Sequence, residues 1–366
     1  MTDGLLIYGS YGYTGSLVAN AAVEAGMSPI LAGRDAEAVE RQATDLGLDH
    51  RVFSLEHPAV IDDRVGDVSV VLNCAGPFAA TAAPLSSACL RSGTDYLDIA
   101  GEIDVLEAAA ERDRDAEKAG VVLLPAVGFD VVPTDCLASH LESRLRSATR
   151  LTIALDGLGT FSAGTVKSIV DELSRSGAVR QDGEIRTVPA AWKSRRFDFG
   201  DGPKVGVTVP WGDVATAYYT TGIGNVETYA TVPRYAVGAM RRLRPLAAVL
   251  GSDPVRWALK ELAEAAVSGP TATQRARSTT RVWGEVRDDD GGRAVARLRT
   301  PDTYDVTAQT AVEAARRTLD GEVSPGFQTP ASAFGADFVT EFEGVELVDV
   351  TAEPAVPASA EQSGAE

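Results

Sequence analysis

Short, continuously apolar runs separated by mixed stretches of helix-forming residues dominate the first third of the chain. Leu5–Tyr8, Pro29–Ala32, Arg51–Phe53, Val68–Leu72, Asp95–Asp98 and Val121–Leu124 read as six strands. Ser16–Ala25 and residues 36–46, 82–92 and 102–119 read as the helices between them, the last stopped by Gly120. Strands apolar at every position are buried on both faces, and their alternation with helices is the pattern of a parallel sheet covered on both sides. The predicted fold class is α/β, with an N-terminal Rossmann-type doubly wound parallel sheet over residues 1–132. Ligands are expected at the C-terminal ends of its strands.

From about residue 150 the period changes. Arg150–Asp156, Val205–Pro210, Ala215–Thr221, Glu227–Val232, Thr280–Arg287 and Arg293–Thr300 alternate apolar and polar positions, as strands with one buried face do. Asp288–Gly292 is a hairpin turn between the last two. These segments predict a second α+β domain of mixed or antiparallel sheet over residues 133–328, which would cover the cofactor and shape the substrate site. Helices are expected from Thr134 or Asp135, as cap, through Leu145, and over Val166–Ser174, Tyr235–Ser268 and residues 303–319. Pro325–Pro330 reads as a turn, and a helix returning within 329–345 would complete the first domain. Residues 352–366 are Ala, Pro, Glu and Ser without pattern, a disordered tail.

Directly after the first strand comes Gly9-Ser10-Tyr11-Gly12-Tyr13-Thr14-Gly15 and then a helix. Strand, glycine turn and helix form the context in which such a pattern binds a dinucleotide. Glycines let the backbone approach a pyrophosphate, and the helix start offers unpaired N–H groups to it. The spacing is G-x-x-G-x-x-G, looser than the strict dinucleotide fingerprint. At the end of the second strand, Gly33-Arg34 places an arginine where a 2′-phosphate would lie, so NADP(H) is favoured over NAD(H). Asp35 argues the other way but also suits a helix N-cap. The fourth strand ends in Asn73-Cys74-Ala75-Gly76-Pro77, which the sheet geometry sets beside the middle of the cofactor.

Charge narrows the partners. Aspartate and glutamate outnumber lysine and arginine 52 to 34, a net charge of −18. This excludes a phosphate-backbone footprint, so no nucleic acid is expected. Lysine is scarce beside arginine, an acidic halophile-like surface or the product of an arginine-rich genome. No apolar stretch is long enough for a transmembrane helix, and the N-terminal run reads as a strand rather than a signal peptide. Cys74, Cys89 and Cys136 match no metal or disulfide spacing; reduced thiols and a cytoplasmic location are expected. The broken helix over 235–268 leaves peripheral membrane or acyl-chain contact open beside an ordinary surface role.

Several motifs together resemble the saccharopine dehydrogenase-like oxidoreductases, in particular the branch with trans-acting enoyl reductases. They are Tyr8–Gly15, Leu31–Arg34, Asn73–Phe78, Tyr96–Glu102 and Gly128–Asp135, with Ser162–Thr165 and Pro325–Pro330 similar to features of the same branch. The resemblance implies NAD(P)-linked hydride transfer and a homodimer formed through the second domain. It does not transfer a substrate, since members reduce C=N or C=C bonds. Ser10 stands where the family often has Ala, a polar change that could add a phosphate contact. Candidates for a proton donor are Glu102, Asp130, Lys167 and Tyr219, each with an ordinary structural role as alternative. Trp211, Tyr218, Tyr219 and Ile223 favour a hydrophobic, lipid-like small-molecule substrate. The other readings are a C=N dehydrogenase or reductase of amino-acid conjugates, which predicts converging arginines among Arg180, Arg195 and Arg234, and a non-catalytic nucleotide-binding scaffold.

Overall fold

The computed structural model describes residues 4–159, 162, 166, 177–233, 237–238, 242, 253–266 and 269–350. Six strands alternate with helices as expected: β1 (Leu5–Tyr8), β2 (Ile30–Gly33), β3 (His50–Val52), β4 (Val70–Asn73), β5 (Asp95–Asp98) and β6 (Val122–Leu124). The helices are α1 (Tyr13–Glu24), α2 (Ala36–Leu46), α3 (Pro58–Val65), α4 (Phe78–Ser92), α5 (Ile103–Ala110) and α6 (Asp113–Ala119). The sheet is parallel, in the order β6-β5-β4-β1-β2-β3, with Ile7 between Leu31 and Leu72. This is the doubly wound dinucleotide order, with its switch point between β1 and β4. Apolar clusters fill both faces, one under α1 and α2 and the other under α3, α4 and α6. The long helix expected over 102–119 is two helices, broken at Glu111–Arg112.

After β6, α7 (Val132–Arg144) leads to the second sheet. Its strands are β7 (Arg150–Asp156), β8 (Gly177–Gln181), β9 (Glu184–Val188), β10 (Ser194–Asp198), β11 (Pro203–Thr208), β12 (Asn225–Thr231), β13 (Thr280–Arg287) and β14 (Arg293–Thr300). β7 pairs parallel with β12 and antiparallel with β13, so the sheet is mixed. One face packs on α7, where Gly284 lets Leu137 and Leu141 approach the strand. Ala215–Thr221 is not the expected strand. It lies in helix α8 (Asp213–Thr221), ended by Gly222 at φ +73. Its Ala and Thr positions are compatible with either period, and packing of Val214, Ala215 and Ala217 decides for the helix.

The later helices are α9 (Asp253–Ala266), α10 (Ala272–Arg275), α11 (Thr303–Leu319) and α12 (Pro330–Phe334). α11 packs along α1 and over β4 and β5 rather than on the second sheet. Pro325–Pro330 is not only a turn: Gly326–Phe327 forms β15, a seventh strand parallel to β6. A two-residue strand has no period to read, and only the open edge of β6 defines it. The returning helix is short, and a 3-10 turn at Phe338–Glu341 follows before β16 (Glu346–Val350) joins β14. Neither Thr134 nor Asp135 caps α7, whose N-cap is Val131. Lys167, the rest of the helix expected to Ser174, Arg234, most of residues 235–252 and the tail 352–366 lie outside the described residues. No described helix is long and apolar enough to cross a membrane, and no described group of side chains could hold a metal ion.

Candidate active site

The glycine turn is built by backbone hydrogen bonds that aim its remaining amides outward. Gly9 and Ser10 N–H donate to the Ala32 carbonyl, and Gly12 N–H donates to Gly9 O. The first helical bond of α1 runs from Ser16 N–H to Gly12 O. The amides of Tyr11, Tyr13, Thr14 and Gly15 therefore have no partner in the described chain, at the positive end of a twelve-residue helix. Gly9 is at φ +77, and a Cβ there would meet Ala75 at 2.7 Å; one on Gly15 would meet Gly9 O at 2.2 Å. The turn is thus closed around backbone alone, and it fits a diphosphate.

Its side chains divide. Ser10 is fully buried, and its hydroxyl has no hydrogen-bond partner among the described residues. The Tyr13 hydroxyl donates to Pro270 O at 2.5 Å and accepts from Arg275 at 3.0 Å, tying the turn to the segment before β13. The Tyr11 ring lies on Gly33. Arg34 is exposed and paired with no carboxylate among the described residues. Asp35 beside it is the N-cap of α2, accepting from Ala38 N–H at 3.1 Å. Its carboxylate is therefore engaged by α2 rather than by the neighbouring guanidinium.

Beyond the switch point, the loops after β4, β5 and β6 converge. Asn73 is fully buried, and its Oδ1 holds the Ala75 amide. Gly76–Pro77 is a cis peptide leading into α4. Glu102 accepts from Phe78 N–H at 3.4 Å and Gly101 N–H at 3.1 Å. Asp130 stands beside it: a Cβ on Gly101 would lie 2.9 Å from Asp130 Oδ2. Two of the four proposed acids are thus neighbours at the mouth of the crevice. The Asp130 carboxyl is pushed up to about 7, first by desolvation within the crevice and then by the charge of Glu102. Solvent still reaches Asp130, which screens part of that effect. The Trp211 indole N–H donates to the Asp130 carbonyl at 2.6 Å, so the second sheet's connection closes over this loop.

Tyr219 lies on α8 rather than a strand, and its hydroxyl donates to Glu107. Burial and Glu107 push its pKa up, which opposes ionisation. Glu107 also pairs with Arg180, which is 3% exposed and stacks on the Tyr218 ring. Arg195 instead pairs with the buried Glu285 on the second sheet. Arg180 and Arg195 therefore do not converge on one site. Sequence reasoning did not assign the buried Tyr96 and Asp98 beneath the crevice, although both lie in a motif it singled out. It also did not assign Asp213, a fully buried carboxylate at the start of α8. Nothing in the spacing marks an isolated Asp at a helix start as buried.

Residues 5–124 match the family model described as the saccharopine dehydrogenase NADP binding domain. The match lies within the first domain. The description names NADP, the cofactor expected from Arg34. Among curated relatives, the chain is 29% identical over 218 residues to a saccharopine dehydrogenase-like oxidoreductase from Bos taurus, covering 54% of this chain and 46% of that protein. It is 31% identical over 149 residues to a trans-acting enoyl reductase from Mycobacterium leprae, covering 38% and 36%. The chain spans about half the length of the curated relatives it matches. Among solved structures, apo saccharopine dehydrogenase (L-Glu forming) from Saccharomyces cerevisiae superposes with a TM-score of 0.66 at 13% identity, over 95% of this chain and 99% of that one. That likeness establishes the shared fold, both sheets included.

Proposed function

We propose that this protein is an NADP(H)-dependent oxidoreductase acting on an unsaturated or otherwise hydrophobic small molecule, in the manner of an enoyl reductase. The carrying observation is the placement of an anion-binding turn and a raised-pKa carboxyl at the two halves of one crevice. The free amides of Tyr11, Tyr13, Thr14 and Gly15 would hold the diphosphate, and Arg34 the 2′-phosphate. When bound, NADPH supplies the hydride. Asp130 would hold the proton that the other atom of the reduced bond receives, since a pKa near the working pH favours both holding and releasing it. Desolvation first, and the Glu102 charge second, favour the proton on Asp130, and Glu102 fixes the loop through the Phe78 and Gly101 amides. Trp211, which covers the Asp130 loop, supports an apolar substrate. The separate pairing of Arg180 and Arg195 gives no support to a polycarboxylate conjugate.

The test is NADPH oxidation against matched enoyl, imine and carbonyl substrates, for the wild type and Asp130→Asn. Turnover restricted to enoyl compounds and lost in the variant supports the reading. Turnover of amino-acid imines alone would overturn the substrate class, and an unchanged rate in the variant would overturn the role of Asp130.

A further inference from the structure

Beneath the crevice a buried chain of polar side chains connects the ends of β4, β5 and β6. Tyr96 and Asn73 project from adjacent strands and, with Asp98, are at most 2% exposed. Asn73 Nδ2 donates to Tyr96 Oη at 3.1 Å, and the Tyr96 hydroxyl donates to Asp98 Oδ2 at 2.8 Å. At one end, Asn73 Oδ1 accepts from Ala75 N–H at 3.0 Å, and Thr81 donates to the Ala75 carbonyl at 2.6 Å. At the other end, Asp98 Oδ1 accepts from Ala100 N–H at 3.0 Å and from Ala126 N–H at 2.9 Å. Val127 N–H donates to the Asp98 carbonyl. Ala126 is at φ +60, a left-handed conformation that a residue with a Cβ rarely adopts, and the Asp98 carboxylate holds its amide there.

The donors run in one direction, from Asn73 through Tyr96 to Asp98, so every hydrogen in the chain has an acceptor. Asn73 Nδ2 also donates to Thr81 Oγ1 at 3.1 Å; otherwise the two ends hold backbone amides, and those backbones belong to the three loops that carry Ala75–Pro77, Glu102 and Asp130. Core packing alone would have been met by an apolar residue at any of these positions. A satisfied polar chain instead fixes loop positions relative to one another, because its hydrogen bonds are directional and leaving one unmade in the interior is costly. The loops after β1 and β2, which carry the glycine turn and Arg34, make none of these bonds.

We propose that Asn73, Tyr96 and Asp98 are positioning residues for the nicotinamide half of the cofactor, with no part in holding its adenosine half. In this strand order the two halves of a dinucleotide lie on opposite sides of the switch point, and the chain serves only the β4-β5-β6 side. The inference rests on the cofactor reading above.

The two halves are separated by titrating two probes, NADPH and adenosine 2′,5′-bisphosphate, which lacks the nicotinamide side. Tyr96→Phe removes the central hydroxyl and keeps the ring; Asp98→Asn keeps the size and removes the charge. For Tyr96→Phe, NADPH affinity is expected to fall roughly tenfold while the bisphosphate changes less than about twofold. Arg34→Ala should weaken both probes. Equal weakening of both probes by Tyr96→Phe, or of neither, overturns the positioning role and leaves the cofactor reading intact. Should Asp98→Asn fail to fold, Tyr96→Phe alone decides. Failure of the wild type to bind either probe overturns the cofactor reading and this inference with it.

Discussion

Arg34→Ala probes most directly how the first domain chooses its nucleotide. Arg34 is exposed at the end of β2 and has no carboxylate partner among the described residues, so no internal ion pair must break before it meets a phosphate. Its neighbour Asp35 is held by the α2 amide of Ala38. A hydrogen bond to a charged group contributes about 1.5–3 kcal/mol, and a guanidinium fork matches a phosphate with two such bonds. Solvent exposure and the nearby Asp35 carboxylate both reduce the net effect, which places the expected loss at roughly 1.5–2 kcal/mol. That corresponds to roughly a ten- to thirtyfold weaker NADPH complex. NADH, which lacks the 2′-phosphate, should bind the variant and the wild type alike. The assay is fluorescence titration of both nucleotides at two ionic strengths. The wild-type preference for NADPH should shrink at high salt, because an exposed charge is screened over roughly 8–10 Å. Unchanged NADPH affinity in the variant, or equal loss for NADH, would refute the reasoning.

Three further outcomes are expected. Gly15→Ala sets two effects against each other. Helix propensity predicts a gain of about 1 kcal/mol, whereas a Cβ 2.2 Å from Gly9 O predicts a loss of at least about 2 kcal/mol. Urea unfolding should show the loss, and a gain would mean that the turn is not closed as described. Asp130→Asn should alter the pH dependence of stability. The folded pKa, about 7, lies above the unfolded value, so the wild-type acid contributes stability at low pH that is lost as pH rises through about 7. Thermal unfolding from about pH 5 to about pH 9 should therefore show the wild type falling relative to the variant, and parallel curves would contradict it. Glu107→Ala leaves the nearly buried Arg180 guanidinium without its carboxylate, and about 3 kcal/mol of unfolding free energy should be lost. A loss under about 1 kcal/mol in chemical denaturation would show that Tyr218 and the Val214 and Gly183 carbonyls suffice.

The first domain was largely legible because its information is local. A continuously apolar strand, a glycine turn and a helix occur within twenty residues, and the turn's conformation depends on residues that have no Cβ. Arg34 could be placed because the end of β2 is fixed by the same short-range alternation. The acids were nameable for the same reason, since Glu102 and Asp130 each follow a strand. Helix α8 was misread because a short segment of Ala, Thr and Tyr supports two periods, and only the partner surface chooses between them.

The sequence by itself determined the parallel sheet, the order of its local units, the glycine turn and the residues able to carry charge near it. The tertiary structure decided which of those residues meet. Glu102 and Asp130 are neighbours because β5 and β6 are adjacent and parallel; Tyr219 is held by Glu107 instead. The edge of β6 makes a strand of Gly326–Phe327. Asn73, Tyr96 and Asp98 become one hydrogen-bonded chain because three strand ends share a single buried layer. The physical reason is range. Propensity and period act over a few residues, whereas burial, pKa and hydrogen-bond partners depend on groups brought together from distant parts of the chain.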